Sequence, residues 1–244
     1  MKYFSLLFLT FIVLSCSKSD DPKALKRISE GNAFLDQKNY SSALIAFKDA
    51  QKYDLSVESL AKNYRNISIC FSNLEQLDSA KANAKKSFEV AEEYSYLYHN
   101  NKGEHILLHN QVEAALKEFR LAEKRDETQM EVWNNMSLIY SGAYDSTYLN
   151  LNLAIVYAQK AYDIKQNATN KEQLASVLFQ MENFQSAGNL YASLSKEFPQ
   201  VKMHQFNEGQ CLYFAGKEEE GKKMMEEAAE RDEKCRLLLE ELIQ

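Results

Sequence analysis

The chain has 244 residues, a formal net charge of −6 and a mean hydropathy of −0.48. Seven glycines and two prolines are too few for a strand-and-turn architecture, so the body is expected to be all helical. The acidic balance argues against a nucleic-acid partner, because neutralising phosphates needs a basic surface. Four scattered cysteines, at 16, 70, 211 and 235, do not make a disulfide scaffold.

After Met1-Lys2, residues 3–14 are apolar apart from Ser5 and Thr10. That run is shorter than the ~20 residues a membrane-spanning helix needs and has the length of a signal-peptide core. It ends in Val13-Leu14-Ser15-Cys16, which resembles the lipobox of bacterial lipoproteins. The resemblance implies a signal peptide over 1–15, cleavage before Cys16 and lipidation of that cysteine, followed by a polar tether over 16–23. Ser17 stands where inner-membrane retention would ask for aspartate. Lys18 with Asp20-Asp21 is similar to the acidic export signal of surface lipoproteins in Bacteroidetes, with Ser19 interrupting it. The implied location is the outer membrane, on either its periplasmic or its surface face.

From residue 24 four linked columns recur. A first small residue stands at Gly31, Ser68, Gly103, Ser137, Ala175 and Gly209. The second column, twelve residues later except in the fourth unit, is Ala43, Ala80, Ala115, Ala154, Ala187 and Gly221. Phe47, Ala84, Phe119, Ala158, Tyr191 and Met225 make the third. Ala50, Ser87, Ala122, Ala161, Leu194 and Ala228 make the fourth. The spacing resembles that of the tetratricopeptide repeat family, with Tyr64 and Trp133 at the early aromatic position and Pro199 at the closing position. The resemblance implies an all-α, right-handed superhelical solenoid of about six helical hairpins. The units fall at 24–57, 61–94, 96–129, 130–167, 168–201 and 202–235, with a capping helix that ends over 236–244. One such hairpin cannot bury its own apolar face, so neighbours must stack. Leu237, Leu238 and Leu242 are expected to face inward in the capping helix. The last unit, with Gly221 where the family has alanine, is expected to be the most frayed.

In this family binding lies on the concave face, lined by the first helix of each hairpin. Two residues before the first column stand Ser29, Asn66, Asn101, Asn135, Gln173 and Asn207. An amide ladder of this kind offers a donor and an acceptor to an extended peptide backbone, and neighbouring Arg65, Asn134 and Phe206 would add side-chain selectivity. Ile28, Leu97 and Asn101 occupy places where chaperone-binding members need cations, so recognition of a free carboxylate is not implied. Residues 23–125 balance at +2, whereas residues 126–244 balance at −8, which suits a basic partner.

The fourth unit carries five extra residues within 142–152, between the two helices of its hairpin. Asp145-Ser146-Thr147 and Asp78-Ser79-Ala80 both resemble the O-glycosylation motif of Bacteroidetes. His105 and His109, four residues apart on one helix, could share a metal, but no third ligand stands at helical spacing. His105 also occupies the column of Cys70 and Cys211, which is expected to face the hairpin interior, so packing is the expected role. Pairing of Cys211 with Cys235 stays open. With no nucleophile elbow, phosphate loop or carboxylate pair in view, the chain reads as a non-catalytic, lipid-anchored scaffold for a protein or peptide, needing no cofactor or metal. A subunit of outer-membrane protein assembly and a surface glycan-capture lipoprotein are the alternatives.

Overall fold

The computed structural model describes residues 19–126 and 128–242; the signal peptide and Cys16 lie outside them. Among the described residues thirteen α-helices pair into six hairpins and a cap. Hairpin 1 is α1 (Pro22–Asp36) and α2 (Tyr40–Ala50); hairpin 2 is α3 (Val57–Asn73) and α4 (Leu77–Glu89); hairpin 3 is α5 (Tyr96–Leu107) and α6 (Val112–Arg125). Hairpin 4 is α7 (Met130–Tyr140) and α8 (Leu151–Ile164); hairpin 5 is α9 (Ala168–Gln180) and α10 (Phe184–Glu197); hairpin 6 is α11 (Lys202–Phe214) and α12 (Glu218–Ala229). The cap is α13 (Glu233–Leu242). Each second helix packs on its own first helix and on the first helix of the next hairpin. First helices also touch one another, α3 with α5, α5 with α7 and α7 with α9, so their layer forms the inner side of the stack. Among the described residues no helix is long and apolar enough to cross a membrane.

The scarcity of glycine is met in the turns by other residues forced into the left-handed region. Lys38, Glu75, Asn110 and Glu182 have φ of 54°, 59°, 57° and 61° at the same place in their hairpins, where hairpin 6 has Gly216 at 88°. In each, the following N–H reaches back to a carbonyl of the first helix, as in Asn39 N–H to Phe34 O (2.9 Å) and Gln76 N–H to Phe71 O (2.9 Å), which closes the helix end. The N-terminal acidic pair is built in rather than tether. Asp21 caps α1, while Asp20 accepts from the Ser56 N–H (2.7 Å) and the Ser59 hydroxyl (2.8 Å).

The four columns form the core of the hairpins, and they complement one another in volume. A Cβ added to Gly31 would lie 2.5 Å from the Phe47 ring, and one added to Gly103 would lie 2.6 Å from the Phe119 ring. Where the third column is alanine, at Ala84 and Ala158, the first is serine, and its hydroxyl bonds across the hairpin. Ser68 Oγ donates to Ala80 O (2.8 Å) and Ser137 Oγ donates to Ala154 O (3.0 Å).

At Gly221 the two helices of hairpin 6 meet backbone to backbone, since a Cβ there would lie 2.5 Å from Gly209 O and from Tyr213 N. One expectation is corrected. In α13 the buried face is Cys235 with Leu238, Leu239 and Leu242, at helical spacing against Phe206, Met225 and Ala228, and Leu237 is half exposed on the opposite side. The extra residues of hairpin 4 fold into a 3-10 turn at Ser146–Tyr148, tied back by Asn150 N–H to Tyr140 O (2.8 Å). Ser146 is exposed there, whereas Ser79 is half-buried in the first turn of α4.

A polar inner face across hairpins 2 to 5

The inner layer of first helices carries a connected polar network. Arg65 on α3 reaches across to Glu104 on α5, with Nε 2.8 Å from each carboxylate oxygen and Nη2 2.7 Å from Oε1. Glu104 Oε1 also accepts from Asn135 Nδ2 on α7 (2.8 Å) and Asn100 Nδ2 on α5 (3.3 Å). Glu131, one turn before Asn135, accepts from the Tyr96 hydroxyl (3.3 Å). Burial alone would lower the Arg65 pKa, but Glu104 outweighs it and holds the guanidinium above its ordinary value. Burial raises the phenols of Tyr96 and Tyr144, and nearby carboxylates add to the effect: Glu131 at Tyr96, and Glu104 at Tyr144. Tyr144, in the segment that holds the five extra residues of hairpin 4, is 45% exposed, and its phenol lies near enough to Glu104 to feel that carboxylate.

The proposed amide ladder is in place on the chain, but its donors serve the stack. Asn66 Nδ2 bonds Asn32 Oδ1 of hairpin 1 (3.2 Å), Asn135 bonds Glu104, and Gln173 Nε2 bonds Ser137 Oγ of hairpin 4 (3.0 Å). Asn101 is fully buried and donates to Ser87 O (3.2 Å), so it is a core residue and presents nothing to a ligand. Phe206 is likewise fully buried, against α12 and α13, and has no groove role. Asn207 lies with Ser176 against the buried Tyr191 hydroxyl. Half-buried Asn66, Asn207 and Asn134 and the carboxylate of Glu131 remain within reach of solvent.

Asn134 has a fixed orientation. Asn170 Nδ2 donates to Ala161 O (2.9 Å) and Lys165 O (2.6 Å), so its oxygen must accept from Asn134 Nδ2 (2.6 Å). Asn134 Oδ1 then has no donor among the described residues. Asn170 belongs to a buried polar column with Asn63 and His204, five residues before the first small residue, which the sequence reading did not single out. Asn63 Nδ2 likewise donates to a carbonyl of the preceding second helix, Phe47 O (3.0 Å). The signal was available as a polar residue at a repeated position.

The metal and thiol features stay in packing roles. His105 and His109 stack edge to face at 4.9 Å, and among the described residues no group of three or more His, Cys, Asp or Glu is placed to hold a metal. Cys70, Cys211 and Cys235 are free and buried, and burial pushes each thiol up to about 12. The pairing of Cys211 with Cys235 is therefore not made in this structure.

No family model matches the chain, and no curated protein matches it. Solved structures do. A thermophilic tetratricopeptide protein of Thermus thermophilus, TTC0263, aligns with TM-score 0.55 and 15% identity over 78% of this chain and 98% of that one. PilF of Pseudomonas aeruginosa aligns at 0.54 and 15%, over 72% and 78%. YrrB, described as a tetratricopeptide protein with an unusual peptide-binding site, aligns at 0.53 and 16%, over 74% and 92%. The fold is that of the tetratricopeptide solenoids. At these identities the likeness fixes the architecture, and the inner face described above is this chain's own.

Proposed function

We propose that the chain is a non-catalytic interaction scaffold, lipid-anchored through Cys16 in a bacterial cell envelope, that holds a segment of a partner protein on its inner face. The observation that carries this reading is the tetratricopeptide solenoid itself, whose inner layer presents polar groups in successive hairpins, among them Asn32, Arg65, Glu104, Glu131 and Glu172. YrrB, of like fold, is described with a peptide-binding site. The partner is held by Glu131, Asn66 and Asn207 rather than by the whole amide ladder, because these three are only half-buried, whereas Asn101, Asn135 and Gln173 are buried and bonded to neighbouring helices. The lipobox-like Val13-Leu14-Ser15-Cys16 supports the anchor. Asp20 is bonded to Ser56, so only Ser17, Lys18 and Ser19, four Cα-to-Cα steps, separate a lipidated Cys16 from the folded body. At full extension they span ~14 Å, which keeps hairpin 1 close to the bilayer. An outer-membrane location is part of the proposal, from the absence of aspartate after Cys16.

The test is a mild-crosslinking capture from envelope membranes with the wild-type chain and an Asn66→Ala/Glu131→Gln variant. Neither side chain is fully buried, so the variant keeps its fold, which far-ultraviolet dichroism checks. A specific partner lost from the folded variant supports the inner face, and a partner retained in full removes it. In the same cells the wild-type chain is expected to incorporate a labelled fatty acid and Cys16→Ser to incorporate none; equal labelling of the two, or none in the wild type, would refute the anchor.

A further inference from the structure

In a solenoid each hairpin meets its neighbours, and contacts across several units have to be explained. One exists here. Lys38, in the α1–α2 turn, places Nζ 2.5 Å from Glu172 Oε1 on α9, 134 positions along the chain. The turn is rigid: Lys38 sits at φ 54°, its N–H bonds Leu35 O (2.9 Å) and the next N–H bonds Phe34 O (2.9 Å). Around the pair lie charged and polar groups from every element that converges there. Asp36 feels Lys165 and Glu197, the Tyr40 phenol is desolvated beside Glu172, and buried His204 on α11 senses both Glu172 and Lys38. Lys171 is held aside by Glu197 at 2.7 Å.

From this geometry we propose that the Lys38–Glu172 pair is a latch that closes the solenoid on itself, so that hairpin 1 lies across hairpin 5 and gates the inner face beside Gln173. Neighbouring hairpins join through buried apolar columns, but no helix of hairpin 1 packs on hairpin 5 in that way. The closure rests on side chains that are each about a third exposed, 31% and 30%. Ion pairs of that exposure are weak and are screened by salt. Closed and open forms therefore interconvert, and a partner that contacts Glu172, or carries a cation to compete with Lys38, selects the open one. The gating role rests on the inner-face reading above, whereas the closure does not.

The experiment reads the closure alone. In the chain starting at residue 16, with Cys16→Ser, spin labels are placed at Gln37→Cys and Thr169→Cys, both exposed positions, and their separation is measured by pulsed electron resonance. The remaining thiols are buried and unreactive. The expected result is a short-distance population that Lys38→Glu shifts to longer distance, changing the open-to-closed ratio by about two- to five-fold. The reversed pair Lys38→Glu/Glu172→Lys is expected to recover the short distance, and raised salt to imitate the single variant in part. Lys62→Glu, which breaks an ion pair within one helix, is expected to change nothing. An unchanged distribution in Lys38→Glu, or an equal shift in Lys62→Glu, would overturn the latch without touching the partner-binding proposal.

Discussion

Hairpins 2 and 3 fill the same space from opposite sides. In hairpin 3 the first helix withdraws to Gly103 and the second fills the gap with the Phe119 ring, which leaves no room for a Cβ. In hairpin 2 the first helix carries Ser68, the second only Ala84, and a hydroxyl-to-carbonyl bond of 2.8 Å replaces the ring contact. Hairpin 1 follows the glycine solution with Gly31 and Phe47, and hairpin 4 follows the serine solution with Ser137 and Ala158. The two solutions close the contact differently, with a ring laid on bare backbone in one and a hydroxyl-to-carbonyl bond in the other, and in most units each couples two positions sixteen residues apart. Neither column alone defines the packing.

Hairpin 6 takes the glycine solution to its limit, since both its small positions are glycine and backbone meets backbone. Gly221→Ala is expected to be strongly destabilising, with a loss of about 3 kcal/mol or more, because a carbonyl and a peptide nitrogen cannot move aside as a flexible side chain can. In a quasi-linear solenoid the damage stays local. Hydrogen exchange is expected to show α11, α12 and α13 losing protection while hairpins 1 to 4 keep theirs. Unchanged protection of α12 would mean that the close approach is not needed.

Much of this architecture is legible in the amino-acid sequence. The columns imply six hairpins and a cap, and 13 helices among the described residues form them. The Gly31–Phe47 complementarity is written in the columns themselves. The sequence was silent where one residue type has two uses. A carboxamide two positions before the first small residue suits a peptide backbone and a neighbouring helix equally. Burial decides between them, making Asn101 a core donor to Ser87 O and leaving Asn66 half open. Gly221 looked like a defect because a family alanine was missing, but the missing methyl is what permits the contact with Gly209. Contacts between distant hairpins, such as Lys38 with Glu172, depend on accumulated curvature that no local spacing encodes.

The comparison of hairpins 2 and 3 can be tested by converting one into the other. Phe119→Ala alone opens a cavity and is expected to cost about 3–5 kcal/mol. Gly103→Ser alone overpacks against the ring, at about 1–3 kcal/mol. Together they reproduce the Ser68/Ala84 pair, with the new hydroxyl aimed at Ala115 O. The double variant is therefore expected to lose less than the two singles combined, by about 1–3 kcal/mol in a denaturant-unfolding cycle. Additivity within about 0.5 kcal/mol would show that the columns pack independently and would break the comparison.

The smallest effect separates the two serine hairpins from each other. Among the described residues Ser68 Oγ bonds only within its hairpin, so Ser68→Ala is expected to cost about 1 kcal/mol, the net worth of one hydrogen bond. Ser137 has a second task, since its oxygen also accepts from Gln173 Nε2 at 3.0 Å and so ties hairpin 4 to hairpin 5. Removing it strands a buried amide as well, and Ser137→Ala is expected to cost roughly 1–2 kcal/mol more than Ser68→Ala. Unfolding of both variants in urea measures the difference. If Gln173→Ala abolishes it, the extra stability belongs to the seam between hairpins, and the amide column is stitching rather than ladder at this position. Equal losses at Ser68 and Ser137 would leave Gln173 without a structural role and restore it to the inner face as a residue available for a partner.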